Sequence, residues 1–126
     1  MTARLAQVTL DVRDAARAAE FWSRALGYRV EMGDDGCAKL YPPADAPPGV
    51  LTIWLQRVNE QKAAKLRQHL DLRPQDGDVE AEVRRLISLG ARPTDVGQAD
   101  DDPVVVLADP EGNEFCVLRN EPSSSR

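Results

Sequence analysis

Residues whose side chains can bind or transform a ligand recur at alternate positions of short, strand-like segments. Successive side chains of a strand point to opposite faces, so each alternate set shares one sheet face. On one such face, the predicted strands together present Gln7, Thr9, Asp11, Trp54, Gln56, His69, Asp71, Glu114 and Cys116. A tryptophan and a histidine among short carboxylates favour a ligand-binding concavity. A solvated sheet face is also polar, so the alternative is a face that is merely exposed to water.

Two aspartates add negative charge to this face. Asp11 lies in the first strand-like segment and Asp71 in the segment that begins at His69. If both line a closed cup, they form an acidic floor that attracts a cationic ligand. The alternative is that both are solvated strand residues. Trp54, by its position, is either a platform for the ligand or part of the core.

Two strand-helix-glycine segments position these side chains. Asp14 is a suitable N-cap for the first helix, and Gly27 ends it. Gly90 ends the second helix in the same way. The predicted strands lie at 7–12, 28–32, 37–41, 50–58, 69–72, 92–96, 104–108 and 114–118, and the predicted helices at 15–26 and 78–89.

The two segments have the spacing of an internal repeat. When Gln7 is aligned with His69, the glycines that end the helices fall at offsets of 20 (27 − 7) and 21 (90 − 69). In the late strands, Gln56 lies 49 residues after Gln7 (56 − 7) and Cys116 lies 47 residues after His69 (116 − 69). The repeat predicts one βαβββ module in each half of the chain.

Length and composition bound the remaining possibilities. A chain of 126 residues with 42% hydrophobic and 29% charged residues is expected to form one domain with a packed core. We predict a single domain over 1–119. Its parts are module 1 at 1–58, a linker at 59–67, module 2 at 68–119 and a disordered tail at 120–126.

Charge and cysteine content exclude several classes of partner. The 16 basic and 21 acidic residues give a net charge of -5, which argues against nucleic acid or an anionic membrane as a partner. No apolar stretch approaches the roughly 20 residues that span a bilayer, so we expect a cytoplasmic protein. Cys37 and Cys116 are too few for a disulfide framework and are expected to be free thiols.

The motifs together resemble a known family. They are 8–14 (VTLDVRD) with Phe21-Trp22 and Leu26-Gly27 downstream, the second-half start 69–72 (HLDL), and the closing 109–115 (DPEGNEF). In these motifs, the chain resembles the vicinal oxygen chelate superfamily, which includes glyoxalase I, bleomycin-resistance proteins and extradiol dioxygenases. It looks most like the small glyoxalase-like members.

The resemblance implies an α+β fold in which two βαβββ modules form a U-shaped mixed sheet with the helices on its outer face. It also implies a homodimer and a divalent metal ion inside the cup, where family enzymes chelate vicinal oxygens of a substrate. The positions that resemble the family's metal ligands are Gln7, Gln56 or a neighbour of it, His69 and Cys116.

This chain departs from the family most clearly at Cys116, where the family places a metal-binding glutamate that serves as the base in glyoxalase I. Glu114, two residues earlier on the same face, is the candidate base here. Two function classes follow. The first is a protein that binds a small molecule in the cup, with Thr9, Asp11, Trp54 and Asp71 as ligand contacts and a degenerate metal site. The second is a metal-dependent lyase, isomerase or dioxygenase. Glyoxalase I activity itself is not expected.

Overall fold

The computed structural model describes residues 1–98 and 102–119, and the predicted disordered tail at 120–126 lies outside them. The chain divides into two compact units, which we call unit 1 (Met1–Gln61) and unit 2 (from Lys62 onward). Each unit contains one helix and one four-stranded mixed sheet. The predicted α+β class with two βαβββ modules is therefore confirmed.

Unit 1 is the first βαβββ module. Its sheet has the order β1-β4-β3-β2, with β1 parallel to β4 and the remaining pairs antiparallel. The elements are β1 (Gln7–Val12), α1 (Ala15–Leu26), β2 (Arg29–Met32), β3 (Ala38–Tyr41) and β4 (Thr52–Arg57).

Helix α1 begins and ends as its sequence predicts. The Asp14 side chain accepts a hydrogen bond from the Arg17 backbone N–H at 3.1 Å, which satisfies one of the free donors of the first turn. Gly27 follows the last turn with φ of 72°, a left-handed conformation that glycine adopts without strain. The helix buries six residues, and Phe21 and Trp22 pack edge to face with ring centroids 5.1 Å apart.

Unit 2 repeats this topology with the order β5-β8-β7-β6, in which β5 is parallel to β8. Asp78 caps its helix as Asp14 caps α1, through a 3.0 Å hydrogen bond from the Ala81 backbone N–H. The elements are β5 (Leu70–Leu72), α2 (Val79–Leu89), β6 (Arg92–Pro93), β7 (Val104–Ala108) and β8 (Glu114–Leu118).

A buried aspartate closes the turn between β7 and β8. Asp109 has no solvent exposure, and its Oδ1 accepts hydrogen bonds from the backbone N–H groups of Glu111 and Asn113 at 2.8 and 2.9 Å. Gly112 has a positive φ of 85° within this turn. The Asp-Pro-Glu-Gly-Asn segment is thus a rigid connection that sets where the side chains of β8 point.

The sixth strand is shorter than the predicted strand at 92–96. The Gln98 side chain accepts from the Val96 backbone N–H at 2.8 Å and donates to the Thr94 carbonyl at 2.9 Å. These local bonds occupy backbone groups that a longer ladder would use, so the strand ends at Pro93.

Candidate functional site

Three side chains of types that can bind a metal ion meet on one face of unit 2. Asp71 on β5 lies directly opposite Cys116 on β8, and His69 immediately precedes β5. His69 Nε2 lies 3.2 Å from Asp71 Oδ1. One ligand atom from each of the three residues lies within 4.8 Å of those of the other two. We call these three residues the unit 2 cluster.

The donor set fits a small divalent ion. Two ligands on one tetrahedral ion at about 2.0 Å lie about 3.3 Å apart, close to the separation of His69 Nε2 and Asp71 Oδ1. A thiolate sulfur on the same ion lies about 3.5 Å from the other ligand atoms. Because the three ligand atoms here lie within 4.8 Å of one another, Cys116 Sγ would have to move toward the other two by no more than about 1.3 Å. Three protein ligands leave a fourth position open, as in catalytic zinc sites.

The unit 2 cluster is open on one side and apolar on the other. The His69 and Asp71 side chains are 33% and 40% exposed, whereas Cys116 is buried. Cys116 packs in an apolar cluster with Val104, Val106 and Leu118, against which Val96 also packs. Val104 and Val106 were not predicted to lie at the site. Their register opposite β8 places them there, since Val106 pairs with Cys116.

The predicted base, Glu114, has a different environment from the unit 2 cluster. Its side chain is 10% exposed, its Oε1 lies 2.7 Å from Lys62 Nζ, and its Oε2 accepts from the Leu66 backbone N–H at 3.2 Å. Burial by itself raises the pKa of Glu114, but the hydrogen bonds from Lys62 and from backbone N–H groups outweigh it and lower the pKa.

A carboxylate with a lowered pKa and both oxygens engaged is a poor proton acceptor. Glu114 instead holds the segment that leads into His69. Lys62 and Leu66, which lie in the segment predicted to be a linker, both contact this carboxylate.

The polar residues of unit 1 lie on one sheet face, as their alternation predicts. We call this the polar face of unit 1. Gln7, Thr9 and Asp11 are exposed on β1, while Trp54 and Gln56 are half-buried on β4. The complete face consists of Gln7, Thr9, Asp11, Arg29, Glu31, Lys39, Tyr41, Thr52, Trp54 and Gln56.

The strand register does not bring Gln56 together with Gln7. Gln7 pairs with Thr52, whereas Gln56 pairs with Asp11, four residues farther along the strands and therefore about 13 Å away. The Gln56 amide accepts from Trp54 Nε1 at 2.9 Å and donates to Cys37 Sγ at 3.4 Å. These contacts make Gln56 a structural amide of unit 1.

The internal repeat identifies Trp54 as the counterpart of Cys116. Thr9 pairs with Trp54 in unit 1 as Asp71 pairs with Cys116 in unit 2. The spacing agrees, because Trp54 lies 47 residues after Gln7 (54 − 7) and Cys116 lies 47 residues after His69. This equal spacing could have identified Trp54, rather than Gln56, as the counterpart of Cys116 from the sequence.

Comparisons with known proteins agree with this architecture. The glyoxalase-like domain family matches residues 7–118. A comparison with curated proteins finds no match. In the described residues, no helix is long and apolar enough to cross a membrane.

Solved structures share the fold at low sequence identity. A mutant of FosX, a fosfomycin resistance protein from Listeria monocytogenes, complexed with Mn(II) and 1S,2S-dihydroxypropylphosphonic acid, aligns with a TM-score of 0.72 at 14% identity, over 97% of this chain and 94% of that one. FosX from Mesorhizobium loti gives 0.70 at 16%, over 98% and 96%.

A glyoxalase/bleomycin resistance protein from Albidiferax ferrireducens gives a TM-score of 0.62 at 19% identity, over 93% of this chain and 98% of that one. These likenesses concern the fold. The family match and the two βαβββ modules show that the chain belongs to the glyoxalase-like domain family, within the vicinal oxygen chelate superfamily.

Proposed function

We propose that the protein binds a small molecule beside a divalent metal ion held by His69, Asp71 and Cys116. The observation that carries this proposal is the convergence of nitrogen, oxygen and sulfur ligand atoms within 4.8 Å on one face of unit 2. A bound ion would supply an open coordination position for an oxygen of the ligand. The thiolate favours zinc over harder ions such as manganese.

The surroundings of the unit 2 cluster support ligand binding on its open side. The buried Cys116 thiol packs in an apolar cluster, which keeps water from that side of the ion. His69 Nε2 and Asp71 Oδ1 lie 3.2 Å apart, close to the separation of two ligand atoms on one ion. Without a metal ion, the same pair is a hydrogen-bonded histidine and aspartate, which is the alternative that the experiment must exclude.

Cobalt substitution tests the proposal directly. Untagged protein purified without chelator is loaded with Co²⁺, and a thiolate ligand gives a near-ultraviolet charge-transfer absorption. We expect this absorption in the wild type and its loss in Cys116→Ser. Cys37→Ser is the matched control, because Cys37 is equally buried but lies in unit 1. Absence of a stoichiometric site in the wild type would contradict the proposal.

A second candidate is a metal-dependent lyase, isomerase or dioxygenase. The observation that favours it is His69, the residue type that the family places at this position, within a fold shared with a Mn(II) complex of FosX. Glyoxalase I activity is not expected, since Cys116 stands at the position of the base and Glu114 is engaged by Lys62. Turnover of methylglyoxal with glutathione that chelation abolishes would refute this expectation.

We also propose a homodimer, on the basis of the family resemblance. Sedimentation equilibrium at micromolar concentration should give about twice the 13.9 kDa of the chain. A species at the mass of one chain would contradict the proposal.

A further inference from the structure

Two cationic side chains and a tyrosine meet at the β2-β3 edge of the polar face of unit 1. Arg29 on β2 pairs with Tyr41 on β3, and Lys39 precedes Tyr41 by two residues on the same face. Arg29 Cζ lies 4.7 Å from the centroid of the Tyr41 ring, and Lys39 Nζ lies 5.4 Å from it. Both cations are thus held beside one aromatic ring.

Neither Arg29 nor Lys39 forms an ion pair with a carboxylate in the described part of the chain. Glu31 pairs with Lys39 in the strand register, yet their charged groups make no ion pair, and Glu31 is exposed. Asp11 is two strands away from Lys39 and two residues farther along the sheet, at about 12 Å. The like charges repel each other, and a bound anion would relieve that repulsion.

An aromatic platform adjoins the two cations. Trp54 on β4 lies directly opposite Lys39 on β3 and is half-buried. Its indole N–H donates to Gln56 Oε1 at 2.9 Å, which fixes the orientation of the ring. A planar group stacked on the Trp54 ring would have the Lys39 ammonium beside it, on β3. The Arg29 guanidinium would lie one strand farther away, on β2.

We propose that Arg29, Lys39 and Trp54 form a binding site for a planar carboxylate, such as an aryl carboxylate. The two cations hold the carboxylate by charge-assisted hydrogen bonds, and Trp54 stacks on the conjugated part of the ligand. Tyr41 keeps the two cations in place. The inference deepens the proposed function by naming a ligand class, but it is carried by unit 1 alone and involves no metal ligand. It names an anionic ligand, whereas an acidic floor formed by Asp11 and Asp71 would favour a cationic one.

Nuclear magnetic resonance on the full chain tests the site. The spectrum contains one indole N–H signal from Trp54 and one from the buried Trp22. The Trp54→Phe variant assigns them, because it lacks the signal of Trp54. Benzoate should shift the Trp54 signal saturably, with millimolar affinity, and leave Trp22 unchanged. Benzylammonium, of similar shape and opposite charge, should bind at least about tenfold more weakly. Inorganic phosphate, which cannot stack, should also bind more weakly than benzoate.

Paired variants identify the residues involved. Arg29→Gln with Lys39→Gln should weaken benzoate binding at least about tenfold, and Arg29→Lys with Lys39→Arg should retain it within about threefold. Arg4→Gln with Arg84→Gln removes the same net charge from exposed positions and should have no effect.

Several outcomes overturn the inference. They are absence of a Trp54 shift up to about 50 mM benzoate, equal affinity for benzylammonium or phosphate, or unchanged benzoate binding after Arg29→Gln with Lys39→Gln. Cobalt binding is measured on the same double variant and should equal that of the wild type. Failure of the carboxylate site is therefore distinguishable from failure of the metal site.

Discussion

Units 1 and 2 have the same topology and equivalent strand register, but their polar faces carry different chemistry. In unit 2, the positions aligned with Gln7, Thr9 and Trp54 hold the unit 2 cluster of imidazole, carboxylate and thiol. In unit 1, they hold two weak donors and an aromatic ring, beside a pair of cations. A repeated backbone can therefore present a group of candidate metal ligands in one copy and a cationic and aromatic surface in the other through a few side chains.

The helices differ in a parallel way. Helix α1 buries six residues, including two aromatic rings, whereas α2 buries only Val79 and Leu86. Most of the packing of α2 therefore depends on one leucine, and this dependence leads to the prediction with the largest effect.

Leu86→Ala should lower the free energy of unfolding by about 2–5 kcal/mol, because Leu86 has no solvent exposure and its truncation leaves a cavity under α2. Ile87→Ala, at the next residue of the same helix, is the control and should cost less than about 1 kcal/mol, since Ile87 is 40% exposed. Urea unfolding measures both. Equal losses would show that α2 does not depend on its buried positions.

His69→Ala should weaken zinc binding by more than about 100-fold, or about 2.7 kcal/mol, because it removes one of three ligands. Gln68→Ala changes the exposed neighbouring residue and should leave the affinity unchanged. Competition with a chromophoric chelator measures the dissociation constant. An unchanged dissociation constant for zinc in His69→Ala would show that His69 is not a metal ligand. The proposed difference in metal binding between the two units would then not hold.

Glu114→Gln should destabilise the protein by about 1–2 kcal/mol at pH 7, because it removes the buried partner of Lys62. The pKa of Glu114 is lowered on folding, so its carboxylate stabilises the fold above the ordinary value of 4.5, and this contribution is lost as pH falls through the lower folded pKa.

The difference in unfolding free energy between wild type and Glu114→Gln should therefore shrink below pH 4.5. Glu20→Gln, which breaks an exposed ion pair with Arg24 on α1, should have no measurable effect at either pH. A constant difference across the acidic range would refute the role assigned to Glu114.

Gly27→Ala should cost about 1 kcal/mol, because φ of 72° strains a residue with a Cβ although no atom lies within 4 Å of the added carbon. Gly27→Asn should cost less, since asparagine tolerates this conformation. Gly90, with φ of 125° and ψ of 0°, lies outside the left-handed helical region, so Gly90→Ala should cost more than Gly27→Ala. Thermal unfolding ranks the three variants, and the reverse order would contradict the prediction.

Much of the fold was predictable because its signals are local. The N-cap Asp14 and the glycines after each helix mark helix ends, and the structure has both helices within one residue of the predicted bounds. The strands Val104–Ala108 and Glu114–Leu118 agree with the prediction at both ends. His69, Asp71 and Cys116 were predicted to share one face, and the structure places these three together.

The remaining parts of the site depend on contacts between segments distant in sequence. Alternation predicts the face on which Gln56 lies, but only the pairing of β1 with β4 shows that Asp11, not Gln7, is its neighbour. Likewise, the Lys62 contact with Glu114 joins residues 52 positions apart (114 − 62), and no periodicity in either segment indicates it.

The sequence by itself determined the elements, their repeat and the chemical character of each strand face, because these follow from backbone geometry and residue type over a few neighbouring positions. The tertiary structure decided which side chains on each face are neighbours. It placed Arg29 beside Tyr41, Trp54 beside Lys39 and Cys116 beside Asp71. The physical reason is that strand register is set by hydrogen bonds and core packing between distant segments, whereas alternation specifies only which of two faces a residue occupies.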